Sequence, residues 1–162
     1  MKKLFLVFTT CVFLYACGSS EKKNSYAPDQ KSDASSAMNT EPKSLAEAEK
    51  NWKSDLGVGP INSLKLPSEI DQSLVTKGKE VYEAKCTACH KPDKKFIGPA
   101  PMGIMERRTP EWIMNMILNP EGMVLNDPIA KQLLIEFNGS PMANQNLTEE
   151  EARAVLEYFR TL

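Results

Sequence analysis

The chain has 162 residues, 20 Lys and Arg against 21 Asp and Glu, and 41% apolar residues, enough for one modest core and too few for two. A formal net charge of −1 excludes the basic excess with which a nucleic-acid binder neutralises phosphate, so no nucleic acid is expected as a partner. Four cysteines and a single histidine are few enough that each must account for itself.

The first element is Met1-Lys2-Lys3 followed by 13 mostly apolar residues, 4–16. A positive start before so short an apolar run reads as an export signal, because a membrane-spanning helix needs about 20 residues. Leu14-Tyr15-Ala16-Cys17 at its end resembles the lipobox of bacterial lipoproteins. The resemblance implies that residues 1–16 are removed, that Cys17 carries a diacylglycerol, and that the mature chain is anchored to the cell membrane, facing the periplasm or exterior. Cys11 then lies in the discarded segment. An ordinary signal cut nearby and an uncleaved anchor are the competing readings.

Residues 17–50 are rich in Ser, Lys, Glu, Asp and Ala with little to bury, the composition of a disordered tether. Residues 44–50 could form a helical turn or two, but a stretch that short is not expected to hold without a partner face. Across 51–70 apolar residues return at Trp52, Leu56, Val58, Ile61, Leu64 and Leu66, broken by Gly57, Gly59, Pro60 and Pro67. This pattern predicts an extended arm lying on a domain formed by residues 71–162.

Cys86-Thr87-Ala88-Cys89-His90 is the C-x-x-C-H pattern of covalent haem attachment. Two thiols three positions apart at a helix end project to one side, where both can add to the vinyl groups of one porphyrin, and the next residue brings an imidazole under the iron. A thioredoxin-like dithiol would need strand-like alternation, which is missing. A structural zinc site needs about four ligands, which Cys86, Cys89 and His90 cannot supply alone. A Cys86–Cys89 disulfide beside an accidental histidine stays open, in a structural lipoprotein without haem.

Around this motif, the sequence from about Asp71 to Leu162 resembles class I cytochrome c. Residues 78–86, with Gly78 and Tyr82 four apart, look like the family's first helix. Residues 147–159 look like its last, with Thr148 and Glu151 as a capping box and Ala152, Val155, Leu156 and Phe159 on one face. The resemblance implies an all-α fold round one haem c bound through Cys86 and Cys89, with these helices crossing so that Gly78 and Tyr82 meet Leu156, Tyr158 and Phe159. It further implies that the carbonyl of Pro99 accepts a hydrogen bond from His90, which would fix the imidazole tautomer.

His90 is the sole histidine, so the sixth iron ligand is not a second one from this chain. Methionine is the usual partner in electron carriers and raises the reduction potential. Met38 sits in the tether, Met102 and Met105 close after the motif, and Met114 and Met116 on a helix opened by Thr109, Pro110 and Glu111. Met123, expected in a loop after Asn119-Pro120, is the lesser candidate. Met142, six residues before the Thr148 cap, stands where the family carries its axial ligand and is the expected one, after a helix over 128–137 capped by Asp127 and ended by Asn138-Gly139. Trp112 packs either beside the haem or against that helix.

The expected function is one-electron transfer through a His90/Met142-ligated haem, not enzymatic turnover, since the sequence carries no acid/base or nucleophilic constellation. The alternative is a haem sensor or peroxidase with an open sixth site. The expected partners are a quinol-oxidising complex as donor and a terminal reductase or oxidase as acceptor. Residues 109–120 look similar to stretches of lipoprotein cytochromes that accompany nitrous oxide reductase. Lys91, Lys94 and Lys95, with Arg107 and Arg108 shortly after, predict a basic patch beside the haem edge that steers an acidic partner.

Overall fold

The computed structural model describes residues 44–162, so the expected signal peptide, Cys17 and the expected tether up to residue 43 lie outside the described residues. Six α-helices occur in the described part, α1 Leu45–Lys50, α2 Gln72–Lys85, α3 Pro110–Leu118, α4 Pro120–Asn126, α5 Pro128–Glu136 and α6 Glu149–Phe159, with no strand among the described residues. The fold is all-α. No helix of the described residues is long and apolar enough to cross a membrane.

The α2–α6 crossing is the frame. Gly78 lets the two backbones touch, since a Cβ there would lie 1.9 Å from the Ala154 carbonyl oxygen. One turn later Tyr82 is buried against Tyr158 and Phe159, with ring centroids 5.5 and 5.7 Å away. Thr148 and Glu151 form the expected capping box, which places α6 directly after the 138–147 loop. Glu157 is fully buried on α6, where it meets Arg153 and Arg160 and accepts the Asp71 N–H at the start of α2. Burial alone would raise its pKa, but that N–H and the two guanidiniums outweigh it and hold the carboxyl below the ordinary 4.5.

Residues 55–66 run along α3 and α4, and side chains of those helices satisfy their backbone. Asn115 is buried, accepts from the Ile61 N–H at 2.9 Å and donates to the carbonyls of Leu56 and Ile61. Asn119 donates to the Val58 carbonyl, and Glu111 accepts from the Leu64 N–H.

Two local expectations are corrected. The tether was expected to run to residue 50, yet α1 forms inside it: Ser44 accepts the Glu47 N–H as a cap, Ala48 is fully buried, and α5 supplies the partner face that seven residues alone lack. Met123 was expected in a loop and stands instead in α4, because Pro120 at the first position and the Asn119 side chain as cap start a new helix. Its sulfur is buried and accepts the Val58 N–H.

Candidate functional site

The Cys-x-x-Cys-His motif is a turn that closes α2. The Cys86 N–H bonds back to the Tyr82 carbonyl, and the N–H groups of Cys89 and His90 both bond to the Cys86 carbonyl. Tyr82 Oη donates to the His90 carbonyl at 3.1 Å, so the aromatic residue of the helix crossing also pins the turn. Burial pushes the Tyr82 phenol up to about 12, so it remains a donor at all ordinary pH. Cys86 is half-buried and Cys89 exposed.

His90 is held from the next loop. Its Nδ1 lies 2.8 Å from the Pro99 carbonyl oxygen. A carbonyl only accepts, so Nδ1 carries the proton and Nε2 keeps its lone pair. Gly98 backs the ring, and a Cβ at that position would lie 2.5 Å from His90 Cε1. The loop is tied to itself by Gly98 N–H to the Cys89 carbonyl, Phe96 N–H to the Gly98 carbonyl and Met102 N–H to the Pro92 carbonyl.

One large cavity opens from these residues. Cys86, Cys89, His90, Pro99 and Met142 all line it, between walls from α3, α5 and α6 that include Ile113, Leu133, Val155 and Phe159. Met142 is half-buried in the 138–147 loop, while Met123 does not line the cavity. Trp112 lines it as well, with the Arg108 guanidinium 5.3 Å from its ring. Met116 lines it too, whereas Met114 is core filling. Among the described residues no group of three or more His, Cys, Asp or Glu could hold a metal ion by side chains alone.

The residues present fit a porphyrin. The lining is apolar where a macrocycle would lie, thiols and an imidazole with a free Nε2 stand on one side, a thioether enters from the distal loop, and Arg107 and Arg108 form one cationic corner suited to carboxylates. Both belong to the expected basic patch. Arg107 is exposed and donates to the Met102 and Ala100 carbonyls. Arg108 is half-buried, and burial together with Arg107 lowers its pKa. Lys95 reaches across to α5, which leaves Lys91 and Lys94 near the exposed Phe96 and Ile97.

Gly98 and the cavity-lining Arg107 and Arg108 were not singled out for the haem site from sequence. The Gly98-Pro99 pair was the available signal for the first. Nothing local distinguishes an arginine that lines a cavity from one that faces water.

The comparisons agree with this geometry. The family model described as Cytochrome c matches residues 75–162. A solved cytochrome c from Rhodothermus marinus is 45% identical, with a TM-score of 0.62, over 64% of this chain and 88% of that one. An engineered cytochrome c from the same organism, Rma TDE, is 44% identical with a TM-score of 0.61 over 64% and 89%, and a further engineered form, bound to a carbene intermediate, is also 44% identical with a TM-score of 0.59. No curated protein matches the chain. Helices crossing at Gly78, a Cys-x-x-Cys-His turn at their edge and a family match over more than half the chain make this protein a class I c-type cytochrome of the cytochrome c family, with haem c bound covalently through Cys86 and Cys89.

Proposed function

We propose that the protein is a one-electron carrier whose haem iron is held by His90 Nε2 on one side and Met142 Sδ on the other. The single observation that carries this reading is the entry of both side chains into one apolar cavity, with His90 Nδ1 tied to Pro99. The haem, when bound, supplies the Fe(III)/Fe(II) couple. The chain supplies the rest. Pro99 orients the imidazole and strengthens it as a donor, the thioether favours the reduced iron, and the apolar lining excludes water and limits reorganisation. The test is the oxidised absorption spectrum. His/Met ligation predicts the weak far-red band of sulfur-ligated ferric haem, lost in Met142→Ala with a fall in potential and retained in Met123→Ala. A high-spin wild-type spectrum would instead indicate an open sixth site.

On the N-terminal side, the lipobox-like Leu14-Tyr15-Ala16-Cys17 supports export and lipidation of Cys17, placing the haem domain on the outer side of the cell membrane. Labelled fatty acid should enter the wild-type protein and not Cys17→Ala, which should leave the membrane fraction. The donor would be a quinol-oxidising complex and the acceptor a terminal reductase or oxidase, nitrous oxide reductase among them. Docking is proposed at Phe96 and Ile97, which are 51% and 47% exposed, with Lys91 and Lys94 attracting partner carboxylates. Ile97 also lines the cavity. Lys94→Glu should slow electron transfer at low ionic strength and have little effect once salt has screened the charge.

A further inference from the structure

The loop that carries Met142 has little holding it to the opposite wall. Among the described residues, its hydrogen bonds run within the loop or back to the end of α5: Gly139 N–H to the Leu134 carbonyl, Ser140 N–H to the Phe137 carbonyl, and Asn146 N–H to the Asn144 side chain. The loop leaves α5 through two successive left-handed residues, Asn138 at φ 58° and Gly139 at φ 74°, so its direction is set by where the end of α5 lies. The helix itself packs on α1 and α4. Its C-terminal end is met from the His90 side by Lys95, whose Nζ sits 4.3 Å from the Phe137 ring centroid, donates to the Glu136 carbonyl at 3.3 Å and faces the Glu136 carboxylate at 3.6 Å. Phe137 is buried and lines the cavity. Among the described residues, the hydrogen bonds and ion pairs between 90–108 and 128–147 are those of Lys95.

We propose that Lys95 is a positioning residue for the sixth iron ligand, clasping the end of α5 to the His90 loop and thereby keeping the Met142 loop closed over the cavity. The proposal rests on Met142 as that ligand. Three contacts from one ammonium group give the clasp its direction: a cation over an aromatic face, a hydrogen bond to a C-terminal carbonyl and a carboxylate beside it. A lysine whose role were only to attract a partner would be equally effective anywhere on the patch. This one has its charge on Glu136 and Phe137.

The test uses the ferric holoprotein as wild type, Lys95→Gln and Lys95→Arg. Imidazole binding, followed by loss of the far-red band, is expected to be about fivefold faster in Lys95→Gln, the factor one partly exposed cation–aromatic contact supports, and to return to the wild-type rate in Lys95→Arg. The thermal midpoint should fall by only a few degrees, the shift that a fivefold factor, about 1 kcal/mol, allows. Amide exchange at Gly139 and Ser140 should quicken in Lys95→Gln by a similar factor, with Gly98 unchanged. Unchanged imidazole binding in Lys95→Gln overturns the proposal, as does a gain that Lys95→Arg does not reverse. If wild type shows no far-red band, the Met142 reading has failed, and amide exchange then decides the clasp alone: quickening at Gly139 and Ser140 supports it, and no change overturns it.

Discussion

The two loops that flank the cavity are built in opposite ways. Residues 90–102 are cross-tied by backbone hydrogen bonds, the imidazole is braced by Pro99 and Gly98, and Tyr82 joins the turn to the helix crossing. Among the described residues, 138–147 have local bonds only and are held at their two ends, by α5 and by the Thr148 cap of α6. The difference teaches that the His90 side is specified by packing and the Met142 side by its anchors. Local openings should therefore be asymmetric, with the Met142 loop at the low-stability end.

The largest expected effect lies in the frame that both loops depend on. Glu157→Gln leaves the partly buried Arg153 and Arg160 without their counter-charge and should cost about 3 kcal/mol by chemical denaturation. The wild-type carboxyl sits below its ordinary pKa, so its contribution is fully present above 4.5 and is lost as pH falls through the lower folded value. Acid titration of wild type against Glu157→Gln should show that component in the wild type alone.

Gly98→Ala comes next. The added Cβ meets His90 at 2.5 Å, so the ring or the loop must shift, with about 2 kcal/mol lost and a change in the reduction potential. Its counterpart across the cavity should be milder. Gly139→Ala meets nothing within 4 Å and has only its φ of +74° to oppose it, so about 1 kcal/mol is expected from the left-handed backbone. That cost should appear as faster imidazole binding and as a global unfolding penalty about half that of Gly98→Ala. Equal unfolding penalties for the two glycine substitutions would break the asymmetry.

The two methionines separate by their spectra, not by stability. Met142→Ala removes a half-buried side chain and should abolish the far-red band. Met123→Ala deletes a fully buried side chain whose sulfur accepts the Val58 N–H; it should leave the band unchanged while costing about 2 kcal/mol or more and loosening residues 55–61, which amide exchange at Val58 would report.

Much of the fold was legible from local pattern, because caps, prolines and motif spacing act within a few residues. Thr109, Asp127 and Thr148 start their helices as expected, and the Cys-x-x-Cys-His turn carries its chemistry in five consecutive positions. Gly78 and Tyr82 could be matched to α6 through the family resemblance alone, since their partners lie more than 70 residues away.

What local pattern could not settle depends on partners distant in sequence. A six-residue helix such as α1 is marginal by its own propensity, and α5, more than 75 residues on, decides that it forms. The direction taken by Lys95, Arg107 and Arg108 is likewise a tertiary matter, because a long cationic side chain reaches several ångströms either way and goes where carbonyls, a carboxylate or an aromatic face await it. The sequence by itself determined the all-α class, the haem-binding motif and most helix starts, all properties of short stretches. The tertiary structure decided which methionines line the cavity, which charges face water and which segments brace the two loops, since each of these depends on surfaces that exist only once the helices have packed.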